Sequence, residues 1–288
     1  LYFSTYLPHD EIQNDDESST LSAPPEVVSK YERKIEAMKQ AGGDLQGHDN
    51  PIYAAMIEET DRSVGTIMQK LDELGLRDNT LVIFISDNGG HGSYTSNRPL
   101  RGSKGHHYEG GIRVPMIASM PGRIAAGKVS DEPVSGIDLL PTICRFMGVK
   151  PTDPDKVDGE DLTSLLFKGK SLGERNLFWT FPCYGSQSDP RTVMRRGPWK
   201  IHHRYEDGGY ELYNLAEDIG ESQDRAATEP DALAMMQREL HACYKRFGAV
   251  ESLSANPRFD PTVERPLRIP PSPPKMTTEQ AYRMMGLM

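Results

Sequence analysis

The chain has 288 residues, with 33 Lys or Arg against 42 Asp or Glu, so its formal net charge is −9. This length provides for one large domain or two smaller ones. The acidic balance argues against a nucleic-acid-binding protein, because phosphate backbones favour a basic surface. The longest aliphatic and aromatic run, Leu81 to Ile85, is far shorter than the ~20 apolar residues of a membrane span.

The first residues are apolar and rich in β-formers. Leu1–Leu7 predicts a buried strand that Pro8 ends, which places His9 just beyond its carboxyl end. A strand at residue 1 needs partner strands, so we expect this chain to be the C-terminal part of a longer protein. Residues 14–25 are polar and Ser-rich, which predicts a surface loop.

Two helices are expected next. The composition of residues 26–40 favours a helix that Gly42 and Gly43 stop. A second helix begins with the capping residue Asn50 and Pro51 and runs to about Leu74. Its apolar residues follow a period near 3.6: Ile52, Met56, Val64, Ile67, Met68, Leu71 and Leu74.

Strand and helix patterns then alternate. Residues 80–86 predict a strand covered on both faces, and residues 114–120 predict another. A loop of about 25 residues with seven Gly joins them, and loops of that length are usually functional. A helix over residues 137–147 is expected to bury four apolar side chains: Leu139, Leu140, Ile143 and Phe146. The alternation predicts an α/β fold, with a mostly parallel central sheet and helices on both faces.

From about Gly173 the pattern changes to short strands separated by turns. Four antiparallel strands are predicted, over residues 176–181, 192–195, 199–203 and 210–213, followed by a helix from Pro230 to about Phe247. The predicted domains are therefore an α/β part over residues 1–172, a small α+β subdomain over 173–250 and a Pro-rich extended tail over 251–288.

A candidate metal site follows the strand over residues 80–86. In open α/β sheets, ligands bind beyond the carboxyl ends of the strands. Asp87 and Asn88 supply a carboxylate and an amide oxygen, which are ligands suited to Ca²⁺ or Mg²⁺. An ordinary turn is the competing interpretation, because Asp, Asn and Gly occur in turns everywhere.

The loop that follows concentrates potential cations. Arg98, Arg101, Lys104, His106 and His107 lie within ten residues of an otherwise acidic protein. Such a concentration favours an anion site beside the cation, although a solvated basic loop has the same composition.

Other charged residues and two histidines are predicted to have structural rather than catalytic roles. Glu109 and Arg113 are predicted to form structural ion pairs, and neighbouring His202 and His203 to lie on opposite faces of a strand without a catalytic role.

Several segments together resemble the sulfatases of the alkaline phosphatase superfamily. The strand with DNG, the PLRGSKG step and YEGGIRVP carry the resemblance within residues 80–122. LYFSTYLPHDEIQ is similar to the family's strand ending in Pro-His. The downstream segments VSGIDLLPTI, DGEDLTSLL and ELYNLAEDIGES extend the resemblance, so that it covers about residues 1–247.

The resemblance implies hydrolysis of sulfate esters by a formylglycine made from Cys or Ser. It implies one divalent cation, Ca²⁺ rather than Mg²⁺, with Asp87 and Asn88 as two of its ligands. It makes Lys104 and His9 the residues of this chain that contact the sulfate. We expect Lys104 to contact the sulfate directly and His9 to lie on the leaving-group side, as the catalytic residues of this chain. Arg101, His106 and Asn97 are predicted to contact the substrate, although the family's motifs give Arg101 and His106 no role.

The chain departs from the family in two respects. The modification motif, Cys or Ser followed by x-Pro-x-Arg, is absent, because Cys144, Cys183 and Cys243 precede other sequences. These three widely spaced cysteines also form no zinc pattern or disulfide framework. The family's N-terminal Asp pair is missing as well. We therefore expect a fragment with little or no activity of its own and weak affinity for the metal.

Two alternatives stay open. One is a phosphodiesterase or phosphonate hydrolase of the same superfamily, although Asn88 favours Ca²⁺ over the Zn²⁺ of those enzymes. The other is an inactive relative that binds sulfated glycans. The polar loop favours a sulfated carbohydrate as substrate, within the class of small-molecule or oligosaccharide sulfate esters. We expect no nucleic-acid partner and no membrane span, and the family resemblance implies a periplasmic or extracellular location.

Overall fold

The structure is a computed structural model that describes residues 1–12, 19–185 and 188–254. The described residues form two compact units. The first consists of residues 1–77 and 90–98, and the second of residues 78–89 and 99–254. In neither unit is a described helix both long and apolar enough to cross a membrane.

Two helices dominate the first unit. A short antiparallel pair, β1 (Glu11–Ile12) and β2 (Ser19–Thr20), precedes α1 (Pro25–Gln40) and α2 (Pro51–Glu73). Both helices confirm the sequence prediction. The side chain of Asn50 accepts a hydrogen bond from the amide of Tyr53 at 3.0 Å, which satisfies one of the unpaired donors of the first turn of α2. The core between the helices contains these buried side chains: Leu21, Val27, Val28, Ile52, Ala55 and Met56.

The predicted N-terminal strand is wrong. Residues 1–7 form no strand, and Leu1, Tyr2, Phe3 and Tyr6 are exposed. A strand requires partners for its backbone groups, and no described strand pairs with this segment. The predicted loop over residues 14–25 falls partly outside the described residues, and its Ser19 and Thr20 form β2.

The second unit begins with one strand pair. β3 (Val82–Ile85) and β4 (Met116–Ser119) are antiparallel, with Val82 opposite Ser119. The sequence predicted parallel neighbours, and these two strands differ from that prediction. The connection between them is a loop with only one helical turn, α3 (Glu109–Ile112), rather than the long helical crossover that parallel strands need. The side chains of β3 are half-buried, so the predicted cover on both faces is incomplete.

The predicted helix over residues 137–147 is present but faces differently. α4 (Leu139–Met147) follows a 3₁₀ turn over Gly136–Asp138, and α5 (Thr163–Lys168) comes next. Leu140 and Ile143 are about half exposed, at 56% and 49%, whereas Thr142 is buried. The prediction that Leu140 and Ile143 face inward is wrong, because the helix packs through Thr142, whose hydroxyl accepts from the amide of Leu162 at 2.9 Å.

The four-stranded antiparallel sheet and its helix match the prediction closely. The strands are β5 (Asn176–Phe181), β6 (Arg191–Arg196), β7 (Trp199–Arg204) and β8 (Tyr210–Asn214), paired in that order. α6 (Pro230–Phe247) packs on one face of this sheet, with Met236, Leu240 and Tyr244 against Ile201 and Leu212.

The predicted boundary at residue 172 stays a prediction. Residues 251–254 have no regular structure, and the rest of the predicted Pro-rich tail lies outside the described residues.

Candidate functional site

The turn after β3 arranges its polar groups around the backbone. The hydroxyl of Ser86 donates to the carbonyl of Asn88 at 3.0 Å, and the amide of Asn88 donates to Oδ1 of Asp87 at 2.9 Å. Nδ2 of Asn88 donates to the carbonyl of Gly89 at 3.1 Å. Because the amide nitrogen of Asn88 is used in this bond, its oxygen is the atom left to act as a ligand, next to the exposed carboxylate of Asp87.

These two oxygens fit a hard cation as part of a larger ligand set. Carboxylate and amide oxygens suit Ca²⁺ or Mg²⁺, but Ca²⁺ takes six to eight oxygen ligands. The described residues contain no cluster of three or more His, Cys, Asp or Glu side chains that could hold a metal. A Ca²⁺ site at this turn would therefore need further ligands besides Asp87 and Asn88.

A seam of glycine backbone joins this turn to the loop that carries Lys104. The amide of Gly89 donates to the carbonyl of Gly111 at 2.9 Å, and the amide of Gly110 donates to the carbonyl of Arg101 at 2.8 Å. A Cβ atom at Gly89 would collide with the carbonyl of Gly110, and one at Gly110 would collide with the carbonyl of Gly102. Only glycine permits these approaches, so the two segments are in direct backbone contact.

Lys104 lies in a tight turn of the same loop. The amide of His106 donates to the carbonyl of Ser103 at 2.9 Å, and the amide of Ser103 donates to Nδ1 of His106 at 3.2 Å. Gly102 and Gly105 on either side have φ of +80° and +89°, conformations that favour glycine. The backbone of Lys104 is therefore held by the turn, and part of the His106 ring is used in holding it.

Arg101 is bound within the fold. Its Nη1 donates to the carbonyl of Glu221 at 2.8 Å and to the hydroxyl of Tyr213 at 3.2 Å. Its guanidinium stacks 3.9 Å from the ring centroid of Tyr108. Its predicted contact with a substrate stays a prediction, as does that of His106.

The other two predicted site residues belong to the first unit. Nδ1 of His9 lies 2.9 Å from Oδ1 of Asp10, and the His9 ring packs on Tyr6. The side-chain amide of Asn97 closes a ring with Gly90, accepting from its amide at 2.9 Å and donating to its carbonyl at 2.8 Å. Asp87, Asn88, Arg101, Lys104 and His106 all belong to the second unit.

A buried ionic cluster lies beneath the Lys104 loop, and the sequence analysis missed it. The ammonium of Lys200 lies 2.9 Å from Glu109 and 2.9 Å from Glu221, and all three side chains are at most 3% exposed. Oε2 of Glu221 accepts from the backbone amide of Glu109 at 2.6 Å. Arg113 lies 3.7 Å from Glu109, so both residues take part in ion pairs, as predicted.

The cluster continues along the same face of the sheet. The hydroxyl of Tyr108 donates to Glu211 at 2.9 Å, and Arg191 lies 3.6 Å from Glu211. His202 accepts from Arg191 at Nδ1 and lies 3.3 Å from Glu221 through Nε2. His203 contacts the hydroxyl of Tyr244 instead, so the two histidines lie on opposite faces as predicted.

Burial controls the protonation of this cluster. It lowers the pKa of His202 well below its usual value and, with Arg191 and Lys200 nearby, lowers the pKa of His107 from 6.5 to about 4. Burial also raises the pKa of Glu221. Near neutral pH both histidines are therefore uncharged, and the charges of the cluster are carried by Lys, Arg and carboxylate groups.

The signal for the cluster is present in the segments that resemble the family, since Glu109 lies in YEGG and Glu211 and Glu221 lie in ELYNLAEDIGES. The sequence analysis missed the cluster because charged residues in an alternating strand normally indicate a solvated face.

Residues 1–149 match the family model "Sulfatase", and residues 103–246 match "N-sulphoglucosamine sulphohydrolase, C-terminal". The chain belongs to the sulfatase family. Among its relatives is "Sulfatase" from Formosa agariphila, 37% identical over 219 residues, which covers 68% of this chain and 40% of that protein. The chain thus spans less than half the length of this curated relative.

Solved structures confirm the incomplete alkaline phosphatase-like α/β fold with its C-terminal sheet. The structure of Ps i-CgsB in complex with k-i-k-neocarrahexaose matches with a TM-score of 0.65 and 28% identity, covering 78% of this chain and 47% of that one. The phosphonate monoester hydrolase SpPMH from Silicibacter pomeroyi matches with a TM-score of 0.56 and 21% identity, covering 68% of this chain and 40% of that one. The second likeness is one of fold.

Proposed function

We propose that this sulfatase-family chain forms part of a sulfuric ester hydrolase that acts on a sulfated carbohydrate. The observation that carries the proposal is the glycine seam: it fixes the turn of Asp87 and Asn88 against the loop of Lys104. A cation site and an ammonium group on adjoining backbone suit an anionic ester, whose charge has to be offset before a nucleophile attacks.

Asp87 and Asn88 would hold Ca²⁺ together with ligands from outside the described residues of this unit. When bound, the cation would offset negative charge on the sulfate. Two ligands alone give weak affinity, so the metal is proposed for the full-length protein rather than for this segment.

Lys104 would contact the sulfate oxygens and stabilise the transition state more than the ground state. His9 would donate a proton to the leaving alkoxide, since an alkoxide is a poor leaving group without a positioned acid. His106, Arg101 and Asn97 would contact the substrate. The nucleophile would be a formylglycine outside this chain, so the chain alone would be inactive.

A carbohydrate sulfate is favoured over an apolar ester because the loop around Lys104 is polar and basic. The neocarrahexaose complex of Ps i-CgsB, an oligosaccharide complex of a related fold, supports the same class. An enzyme for such polymeric substrates would act outside the cytoplasm, in agreement with the proposed periplasmic or extracellular location.

The test is Lys104→Ala in the full-length protein, with 4-nitrophenyl sulfate and sulfated oligosaccharides as substrates. Removing a charged group that stabilises a developing anion costs about 10²–10³ in kcat. Exposed Lys150→Ala is the control and should leave kcat within about two-fold. An unchanged kcat in Lys104→Ala would show that this lysine does not act on the sulfate.

Metal analysis of the same preparation separates the two reaction classes. Stoichiometric Ca²⁺ with sulfate ester turnover supports the proposal. Stoichiometric Zn²⁺, with turnover of phosphonate or phosphate diesters and none of sulfate esters, would favour the phosphonate hydrolase alternative.

A further inference from the structure

We propose that Glu221 is a positioning residue, which holds the Lys104 loop through both of its ends so that Lys104 meets the anionic ester. The inference rests on the proposed function. It assigns a role to the ELYNLAEDIGES segment, which the metal and substrate residues leave without one.

Glu221 forms hydrogen bonds with the loop at its start and at its end. Its backbone carbonyl accepts from the guanidinium of Arg101 at 2.8 Å, three residues before Lys104. Its carboxylate accepts from the backbone amide of Glu109 at 2.6 Å, five residues after Lys104. One residue thus fixes both ends of a nine-residue stretch, residues 101–109, whose centre is the Ser103–His106 turn.

Residues of the sheet hold the carboxylate of Glu221 in place. Oε1 lies 2.9 Å from the ammonium of Lys200 and 3.3 Å from Nε2 of His202, and the side chain is fully buried. A buried carboxylate with three defined partners has little freedom to move, because each partner left unpaired would be costly. The side chain of Glu221 thereby links β7 to the loop.

The backbone of Glu221 is also strained. Its φ is +49°, in the left-handed region that is uncommon for residues with a side chain. Such outliers persist only where the surroundings over-determine them, and they cluster at functional sites. In this backbone conformation the carbonyl of Glu221 accepts from Arg101 while its carboxylate accepts from the amide of Glu109.

Tyr108 reinforces the same attachment. Its ring lies under the guanidinium of Arg101, and its hydroxyl donates to Glu211 on β8 at 2.9 Å. The loop is therefore attached to the sheet by Arg101, Tyr108 and Glu109, whereas Lys104 between them belongs to the turn.

The test uses Glu221→Gln in the full-length protein. This change keeps the shape of the side chain, and Lys200 retains Glu109 as its partner, so no buried charge is left alone. Glu217→Gln is the matched control: it removes a carboxylate partner of Arg225 from the same connection between β8 and α6, where the Glu217 side chain is 58% exposed.

Two readouts are combined: kcat and KM with 4-nitrophenyl sulfate, and hydrogen exchange of the amides of residues 101–111. We expect Glu221→Gln to lower kcat at least about ten-fold with a smaller change in KM, because Lys104 acts mainly on the transition state. Exchange in residues 101–111 should speed up at least about ten-fold while β6 and β7 keep their protection. Glu217→Gln should change neither quantity by more than about two-fold.

Unchanged kcat and unchanged loop exchange in Glu221→Gln would overturn the inference. Faster exchange throughout the unit with an unchanged kcat would also overturn it, since that is the result of a purely structural role. If Glu221→Gln does not fold, Tyr108→Phe removes a single hydroxyl from the attachment, and it should speed up loop exchange and lower kcat to a smaller degree.

The proposed function is tested separately, by the activity of the wild-type protein. A wild-type protein that does not hydrolyse sulfate esters contradicts the proposed function. The exchange readout then still decides whether Glu221 holds the loop, and selective loosening of residues 101–111 would support that placement.

Discussion

The four-stranded sheet has two buried faces of opposite character. On one face Met194, Ile201 and Leu212 pack under α6, with Leu240 and Tyr244 fully or almost fully buried. On the other face Lys200 and Glu211, neighbours of these residues along β7 and β8, are buried under the loop of residues 101–113. The same strands thus supply an apolar layer and an ionic layer, one residue apart.

The two faces are expected to tolerate change differently. Apolar burial is non-directional and roughly proportional to area, so a lost side chain costs its own area and cavity. The ionic face depends on matched partners, because breaking a buried pair leaves an uncompensated charge. The apolar face therefore provides stability, whereas the ionic face specifies where the loop lies.

The largest expected effect is that of Lys200→Met on the ionic face. It leaves Glu109 and Glu221 without the ammonium they share, so the free energy of unfolding should fall by about 3–5 kcal/mol in urea denaturation. The exposed Lys245→Met at the end of α6 should change it by less than about 0.5 kcal/mol. If Lys200→Met left the free energy of unfolding unchanged, this face would need only a side chain of suitable volume and not matched charges.

On the apolar face, Leu240→Ala should lower the free energy of unfolding by about 2–5 kcal/mol, because the side chain is fully buried. Leu140→Ala on α4 is the matched change at a half-exposed site and should cost clearly less, at most about 1 kcal/mol. Equal losses measured by urea denaturation would mean that the face of α4 is covered in solution.

The third effect depends on pH and belongs to His107 beside the ionic face. Its pKa is lowered from 6.5 to about 4, mainly by burial. As pH falls through this window, the unfolded chain takes up a proton that the folded chain refuses, so stability is lost progressively. The full loss amounts to roughly 3 kcal/mol.

His107→Gln should remove that part of the pH dependence. The difference in unfolding free energy between wild type and His107→Gln, followed from pH 7 to pH 4, should change in favour of the variant. Leu240→Ala, on the apolar face, should leave the slope with pH unaltered. A pH profile identical in wild type and His107→Gln would contradict the buried, uncharged state of this histidine.

The sequence predicts elements whose partners are also local. β5 to β8 and α6 follow one another at short spacing, so alternation, turn residues and a 3.6 period were enough to place them. The capped start of α2 at Asn50 was equally readable.

The predictions were wrong where the structure of a segment depends on contacts with residues far away in the sequence. Leu1–Leu7 has strand composition but no described partner, and α4 has an apolar face that the described residues leave half open. Lys200 and Glu221 look like surface charges until the loop of Glu109 covers them. Periodicity tells which side chains share a face, but what covers that face depends on contacts between segments far apart in the sequence.

For the candidate site, the sequence located Asp87, Asn88 and Lys104 in one stretch, and the structure connects their backbones through Gly89 and Gly111. Nothing in the sequence indicated that the guanidinium of Arg101 would contact Tyr108 and Glu221, since a sequence shows a charged residue without showing its partners.

The glycine seam has a consequence for how such a protein can change. Since any Cβ at Gly89, Gly110 or Gly111 would strike a carbonyl oxygen, no substitution there can widen or tilt the gap between the two segments by a graded amount. Their spacing is set by main chain against main chain, which every sequence shares. In the proposed hydrolase, new substrate preferences would therefore have to arise around this junction, from residues that can vary without disturbing it.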